Sequence, residues 1–211
     1  MIIAIDGPAA AGKGTLARQL AEHLDLAYLD TGLIYRAVGK KVISSGGVPE
    51  DAVTSEGAAH NLCSEDLAAE GLRTDEVATA ASKVSAFPGV RAALLDFQRD
   101  FAARPPDGKI GAVLDGRDIG TVVCPTADYK LFVTASIDVR AQRRVKELQD
   151  RGLEVICARV FEDMEERDAR DRQRASSPLE PASDAHTLDT TTLTVEQVFK
   201  VALEIIRSSK A

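Results

Sequence analysis

The most informative segment of the chain is Gly7-Pro8-Ala9-Ala10-Ala11-Gly12-Lys13-Gly14-Thr15. It follows an apolar run from Ile2 to Ile5 and opens a helical pattern with leucines at positions 16, 20 and 24. A strand, a turn of small residues and a helix are the context that a phosphate-binding loop requires. Small residues let the backbone curl so that successive N–H groups face one concavity, toward which the helix directs its positive end. The stretch therefore predicts a nucleotide-binding loop.

Two side chains of this loop suit the chemistry of a bound polyphosphate. Lys13 supplies a mobile cation for the β- and γ-phosphates, and Thr15 supplies a hydroxyl near the metal ion. The alternative is a tight strand-to-helix turn that is rich in glycine and alanine for structural reasons alone. The preceding strand, the lysine and the hydroxyl together favour nucleotide binding.

Composition and charge limit the class of protein. The chain has 211 residues and a formal net charge of −7, and its lysines and arginines form no polybasic block. We therefore expect one substantial domain and no nucleic-acid partner. No apolar run approaches the roughly 20 residues that span a bilayer, and the three cysteines have no metal-ligand spacing. We expect a cytoplasmic monomer that has reduced cysteines and does not bind membranes.

The order of predicted elements favours an α/β fold. Apolar runs predict strands at 2–5, 27–30, 110–114, 129–133 and 186–189. Helical patterns cover about 13–24, 31–44, 52–62, 75–87, 90–101, 138–152 and 155–174, and Thr194 with Gln197 forms a capping box for a last helix. Thr31 is expected to cap the second helix. We predict a three-layer fold with a parallel five-stranded sheet and a helical insertion above its carboxyl-end crevice.

Charged residues at the expected crevice suggest a second site. Arg36 and Arg117 follow predicted strands, and Asp115 is expected beside Mg²⁺. The structural alternatives are a surface arginine, an Arg117 paired with Asp118, and a carboxylate that caps a turn. The three histidines, at positions 23, 60 and 186, have no catalytic or ligand spacing and are assigned to structure.

Three arginines in the second charged helix share one predicted face. Arg167, Arg170 and Arg174 are spaced three and four residues apart. A ladder of salt bridges is the structural alternative, since acidic residues stand four positions before Arg167, Arg170 and Arg172. Arg174 lacks such a neighbour, and the loop Ser176-Ser177-Pro178 follows it. We therefore favour a mobile lid that closes over phosphates.

Five segments together resemble the bacterial cytidylate kinase family. They are GPAAAGKGT, DTGLIYR, LRTDEVATAASKVSAFPGVR, LDGRDIGTVV and ERDARDRQRASSPL, in this order, and they span nearly the whole chain. The sequence departs from the family pattern at Leu33, where a small residue is usual, and at residues 62–72, which are too short for the family's small extra sheet. The resemblance implies a single P-loop kinase domain over 1–211, with an NMP-binding insertion at about 36–105 and a lid at about 152–178.

The resemblance also implies an activity and a set of residues. The activity is transfer of the γ-phosphoryl group of ATP to CMP or dCMP with Mg²⁺, which Thr15 and Asp115 would hold directly or through water. The nine residues from Gly7 to Thr15 would bind ATP. CMP would be bound by Thr31, Arg36, Ser82, Arg91, Arg117, Asp118, Arg167, Asp171 and Arg174. The transferring group would be stabilised by Lys13, Arg117, Arg167, Arg170 and Arg174.

Within that acceptor site the resemblance assigns three tasks. Arg36, Arg117 and Arg174 would hold the phosphate of CMP. Ser82, Arg91 and Asp118 would contact the cytosine edge, and Arg167 and Asp171 would reach the ribose. A sibling kinase that acts on UMP, AMP or shikimate is the nearest alternative. A regulatory nucleotide-binding module or GTPase switch is less favoured, since the sequence has no [NT]-K-x-D guanine-binding motif.

Overall fold

Five parallel strands form the central layer of the protein. A computed structural model describes residues 1–208, so the last three residues of the predicted domain lie outside the described part. The strands are β1 (Ile2–Asp6), β2 (Ala27–Asp30), β3 (Ala112–Gly116), β4 (Tyr129–Thr134) and β5 (His186–Asp189). They lie in the order β2-β3-β1-β4-β5, and each neighbouring pair is parallel. β1 is therefore at the centre of the sheet, and its carboxyl end leads into the glycine-rich loop.

Helices cover both faces of this sheet. They are α1 (Lys13–Leu24), α2 (Thr31–Ser44), α3 (Ala52–His60), α4 (Ser64–Leu67), α5 (Asp75–Val84), α6 (Pro88–Ala103), α7 (Ile137–Asp150), α8 (Cys157–Gln173) and α9 (Val195–Ser208). On one face, Leu20 of α1 and Ile206 of α9 belong to the buried cluster around β1. On the other face, Leu114 of β3 packs with Ile119 and with Ala102 of α6. The predicted three-layer fold with a parallel five-stranded sheet is confirmed.

The segment above the sheet is helical, as predicted. In the described part of the chain, residues 47–104 contain α3 to α6 and no strand. Val38 of α2, Val84 of α5 and Leu94 of α6 share one buried cluster that is separate from the two sheet clusters. At Gly39 an added Cβ would lie 2.9 Å from the backbone nitrogen of Ala81, so the glycine permits close packing of α2 on α5. The insertion therefore has a small core of its own.

Several predicted element boundaries are wrong, most clearly those of β3 and α5. β3 begins at Ala112 rather than at Ile110, since pairing with β1 starts at Ala112 and the side chain of Ile110 is 81% exposed. The strand ends at Gly116 rather than at Leu114, so it lies two residues later than its apolar character predicted. α5 ends at Val84 rather than at Phe87, because Phe87 precedes a proline and takes an extended conformation with ψ of 125°.

The charged helices α7 and α8 pack together over one edge of the cleft. Leu148 of α7 and Met164 of α8 belong to a fourth buried cluster.

None of the helices in residues 1–208 is both long and apolar enough to span a bilayer. All three cysteines are free: Cys63 and Cys157 are exposed, and Cys124 is buried.

Candidate active site

The phosphate loop joins β1 to α1 in a conformation that its small residues permit. Gly12 has a φ of 98° and Ala10 a φ of 57°, both in the left-handed region. A Cβ at Gly7 would lie 1.9 Å from the carbonyl oxygen of Val133 in β4, so only glycine fits there. Gly12 immediately precedes α1, and no side chain caps this helix. Its first N–H groups are therefore available to an anion.

Lys13 is the first residue of α1, and its ammonium group is buried. The side chain turns back along the loop, where Nζ donates to the carbonyl oxygen of Pro8 over 2.7 Å. Burial, followed by the positive charge of Arg117, lowers the pKa of Lys13 to about 7, while Asp115 acts in the opposite direction. A bound polyphosphate would favour the charged amine. Lys13 is thus a cation that an anionic ligand would stabilise.

Asp115 faces the phosphate loop from the neighbouring strand. It lies within β3, opposite Ile5 of β1, rather than beyond the strand end as predicted. Burial and then the charge of Asp30 raise its pKa to about 6. Tyr28 donates to Asp115 Oδ2 over 3.4 Å, and the same oxygen lies 3.2 Å from the position of a Cβ at Gly14. The carboxylate is therefore close to the first turn of α1.

The donor set suits a magnesium ion that keeps some of its water. The hydroxyl of Thr15 and the carboxylate of Asp115 are oxygen ligands of the kind that Mg²⁺ prefers. Within residues 1–208 no group of three or more acidic, histidine or cysteine side chains could hold a metal by itself. Phosphate oxygens and water would therefore have to complete the coordination, as is usual for Mg²⁺ bound with a nucleotide.

A buried ion pair lines the same cleft as the phosphate loop. The guanidinium of Arg91, on α6, pairs with the carboxylate of Asp118, and both side chains are at most 8% exposed. Arg91 also donates to the carbonyl oxygen of Ser85 over 3.2 Å and lies 5.4 Å from the ring centroid of Tyr35. Ser82, on α5, is buried, and its hydroxyl accepts a hydrogen bond of 3.3 Å from Arg170. The structure thus brings together the three residues that the resemblance assigns to the base.

A second network links the third strand to the end of α8. Arg117 donates through Nε to Asp171 over 2.9 Å, so the suggested pairing of Arg117 with Asp118 is wrong. The other oxygen of Asp171 pairs with Arg174, which also donates to Ser85 Oγ over 2.9 Å. Burial alone would raise the pKa of Asp171, but Arg117 and Arg174 hold it below the usual range. Asp171 is therefore ionised and shared by two arginines.

Arg167 is a partly buried cation with unused hydrogen-bonding capacity. Burial and then the charge of Arg117 lower its pKa. In the described part of the chain the Nε atoms of Arg91, Arg167 and Arg174 are buried without a hydrogen-bond partner. Buried donors without partners are rare in native proteins, and they suit a site that receives an anionic ligand.

Arg174 lies immediately after the last residue of α8. α8 ends at Gln173, and Arg174 is its C-cap, with a φ of −58° and an extended ψ of 134° that turns the chain after it. The salt-bridge alternative is partly present, since Arg170 lies 3.5 Å from Glu166 and Arg172 lies 3.9 Å from Asp168. Arg167, Arg170 and Arg174 all line the cleft.

Two residues of the second strand–helix junction support the site in ways that spacing did not predict. Thr31 is the first residue of α2, and Asp30 is its N-cap, so the predicted capping role of Thr31 is wrong. The Thr31 hydroxyl instead donates to the carbonyl oxygen of Asp115 over 2.7 Å. Arg36 donates to the carbonyl oxygens of Leu72 and Thr74 over 3.0 and 3.4 Å. Both side chains tie the insertion and β3 to the cleft.

One cleft of about 850 Å³ contains nearly all of these residues. Of the predicted site, only Gly7, Pro8 and Ala11 do not line it. Every predicted acceptor residue lines the cleft, namely Thr31, Arg36, Ser82, Arg91, Arg117, Asp118, Arg167, Asp171 and Arg174. A phosphate loop and a cluster of cations thus face one space that is large enough for two nucleotides.

Comparison with known proteins identifies the family. A family model described as cytidylate kinase matches residues 3–208. The chain belongs to the cytidylate kinase family. It is 64% identical to the cytidylate kinase of Paramagnetospirillum magneticum over 209 residues, 99% of each chain. It is 58% identical to that of Rhodospirillum rubrum over 206 residues, 98% of this chain and 97% of the relative.

Solved structures share the fold of this cytidylate kinase family member. The shikimate kinase of Bacteroides thetaiotaomicron has a TM-score of 0.52 at 13% identity and covers 98% of both chains. The shikimate kinase of Acinetobacter baumannii, in complex with shikimate, has a TM-score of 0.50 at 18% identity and covers 99% of this chain and 94% of its own. At such low identity the similarity shows a common P-loop kinase fold only.

Several residues that line the cleft were not predicted from the sequence. They are Arg18, Arg73, Arg143, Arg144 and Glu147, together with Asp75, which pairs with Arg144. Arg143 and Arg144 stand in a charged helix that could have been assigned to solvent on composition alone. Arg73 follows no strand and pairs with Asp30 over 3.2 Å. Only the tertiary structure places these side chains at the cleft.

Proposed function

We propose that this cleft transfers the γ-phosphoryl group of ATP to CMP or dCMP, the reaction of the cytidylate kinase family. One observation carries the proposal: a phosphate loop and the buried Arg91–Asp118 pair face the same cleft, with arginines between them. ATP would be placed by the loop, and the acceptor base by the ion pair. The two phosphates would then meet where the cations are concentrated.

The donor is bound mainly by the backbone. Backbone N–H groups of residues 9–15 surround its phosphates, and Lys13 follows the γ-phosphoryl group as it moves. Mg²⁺, held by Thr15 and Asp115 with phosphate oxygens and water, supplies positive charge to the donor when it is bound. Because Lys13 is buried, its charge acts on the phosphates with little screening by solvent.

The acceptor phosphate is bound by Arg36, Arg117 and Arg174. In the described structure Arg117 and Arg174 both pair with Asp171, and an incoming phosphate would use donors of these guanidiniums that do not contact the carboxylate. Arg167 and Asp171 would then face the ribose. Asp171 keeps the arginines paired before the substrate arrives, which limits the cost of burying them.

The base is selected by hydrogen bonds that cytosine can satisfy and uracil cannot. Asp118 accepts from the 4-amino group, Arg91 donates to the N3/O2 edge, and Ser82 completes the contact. With uracil the carboxylate would face a carbonyl oxygen, and Arg91 would face an N3–H donor. A site built on such bonds rejects the wrong base because its own groups are left without partners.

The chemical step requires no covalent enzyme intermediate. An oxygen of the acceptor phosphate attacks the γ-phosphorus in line, while the bond from the γ-phosphorus to the β–γ bridging oxygen breaks and ADP leaves. The negative charge of the attacking oxygen removes the need for a general base. Lys13 with Arg117, Arg167, Arg170 and Arg174 stabilises the charge on the transferring oxygens. These side chains belong to three segments: the loop, the end of β3, and the proposed lid at about 152–178.

The proposal includes the organisation of the chain. Residues 36–105 would form the NMP-binding insertion within one kinase domain, which would act as a monomer without a nucleic-acid partner. Residues 152–178 would close over the bound phosphates and exclude water.

The test is ADP release in a coupled assay with a panel of acceptors. CMP and dCMP should support rapid turnover, while UMP, AMP and shikimate should be poor acceptors. A preference for one of the latter three would replace the proposed acceptor with that compound. Hydrolysis of ATP that does not depend on any acceptor would instead favour a nucleotide-dependent switch.

A further inference from the structure

The outer side of the phosphate loop is held by side chains from distant segments. Because the loop directs N–H groups inward, its carbonyl groups face outward and need hydrogen-bond donors. Lys13 donates to the carbonyl oxygen of Pro8. The hydroxyl of Thr190 donates to the carbonyl oxygen of Ala11 over 2.9 Å. Arg140, on α7, donates to the carbonyl oxygen of Ala9 over 3.3 Å.

Arg140 also connects the loop to α8. Its NH1 and NH2 groups donate to the two carboxylate oxygens of Asp168 over 3.2 and 2.6 Å, and its Nε donates to the carbonyl oxygen of Ala135 over 3.0 Å. The side chains of Arg140 and Asp168 are only 3% and 5% exposed. One guanidinium therefore joins the loop, the end of β4 and the proposed lid helix.

The position of Asp168 on α8 connects the Arg140–Asp168 ion pair to the arginines of the site. Asp168 is the neighbour of Arg167 on α8, and Asp171 lies one turn further along the helix. A bidentate pair of planar groups fixes orientation as well as distance. A displacement of α8 relative to the loop would move Arg167 away from the phosphates that Lys13 contacts. The pair thus sets the spacing between two groups of catalytic cations.

We propose that Arg140 and Asp168 are positioning residues that hold the arginines of α8 in register with the phosphate loop. The inference rests on the proposed phosphoryl transfer, to which it adds two residues that need not touch either nucleotide. An ion pair with a purely structural role would affect the stability of the fold. A positioning pair must also affect turnover and ATP affinity in the folded enzyme.

The test compares Arg140→Lys, Asp168→Asn and the double variant with the parent enzyme. We measure kcat with ATP and CMP, the dissociation constant of ATP by calorimetry, and the melting temperature. In variants that are folded at the assay temperature, each single substitution should lower kcat by about 10- to 100-fold, because small displacements of positioned groups have effects of that size. ATP should bind several-fold more weakly. The double variant should be little worse than the poorer single variant, since both remove one interaction.

Arg172→Gln is the matched control. Arg172 approaches the same carboxylate from the solvent side, at 3.9 Å, and its side chain is 62% exposed. It has no hydrogen bond to the phosphate loop among the described contacts. Its substitution should leave kcat and ATP affinity within about twofold of the parent.

Asp168→Glu is a conservative variant that keeps the inference testable if the other substitutions prevent folding. It keeps the charge but adds one methylene between the carboxylate and α8, so it should lower kcat while ATP still binds. Folded variants with parental kcat and ATP affinity, and with only the melting temperature lowered, would overturn the inference. A parent that does not phosphorylate CMP would overturn the proposed reaction instead. The ATP affinities would still test the role of Arg140 in the loop.

Discussion

The two sides of the cleft are held in shape by different kinds of interaction. On the donor side the main chain supplies the binding groups, and glycines at positions 7 and 12 permit its conformation. On the acceptor side the binding groups are side chains. These side chains are already paired with each other, as in Arg91–Asp118 and Arg117–Asp171. The donor side thus binds its ligand mainly through the main chain, whereas the acceptor side binds its ligand through arginines that carboxylates already hold in place.

This difference separates two kinds of mutational effect. Most side-chain substitutions leave the backbone N–H groups in place, so Lys13 is the main side chain through which the donor side can be weakened. The acceptor side distributes its contacts over several side chains, so single substitutions there should alter selectivity as well as rate.

The largest change in rate is expected on the donor side. Lys13→Ala should lower kcat by about 10²-fold or more, since it removes a buried cation that follows the transferring group. The melting temperature should change little, because Lys13 is not part of the apolar face of α1. Lys109→Ala, at an exposed lysine that pairs with Asp25, is the control. Near-parental turnover of folded Lys13→Ala would contradict the assignment of this lysine.

Selectivity should change through the acceptor side alone. Each unpaired buried contact costs about 1–3 kcal/mol, so the parent should prefer CMP over UMP by roughly 10²- to 10⁴-fold. Asp118→Asn supplies an amide donor for the uracil O4, and should lower kcat/KM for CMP and narrow this ratio. Arg117→Ala should reduce kcat/KM for both acceptors alike, because both carry the same phosphate. An unchanged ratio in Asp118→Asn with a shifted ratio in Arg117→Ala would reverse the two roles.

Hydrogen exchange should distinguish the pre-formed side from the side that rearranges. Residues 162–175, on the proposed lid, should exchange about tenfold more slowly with a bisubstrate analogue than without ligand. ATP alone or CMP alone should have less effect, because closure needs both sets of phosphates. Equal protection in all states would favour a static helix held by its salt bridges, such as Arg170–Glu166.

The smallest expected signal is the uptake of a proton when ATP binds. Because burial and Arg117 lower the pKa of Lys13 to about 7, a fraction of the free enzyme has a neutral amine at pH 8. Bound phosphates favour the charged form, so ATP binding should take up roughly half a proton or more at this pH, and less at pH 6. Calorimetry in buffers with different ionisation enthalpies measures this uptake. Lys13→Met should remove the difference between the two pH values, and its persistence would assign the proton to another group.

Local features could be predicted from the sequence, and long-range partners could not. β2 and α1 begin and end at the predicted residues, because apolar runs and turn residues set them within a short stretch. Arg117 and Asp171 are 54 positions apart, and Arg140 and Asp168 are 28 apart. A charged residue in a sequence has many possible partners, and only packing selects one.

The free cysteines provide natural attachment points for optical or spin labels. Cys63 lies in the proposed NMP-binding insertion, and Cys157 is the first residue of α8, while Cys124 is buried. The hydrogen bond that Cys63 donates to Asp66 raises the pKa of its thiol, which slows alkylation there at neutral pH. Dyes on the two exposed thiols would report changes in the distance between the proposed insertion and α8. The unmodified sequence thus offers a direct optical readout of the proposed lid closure.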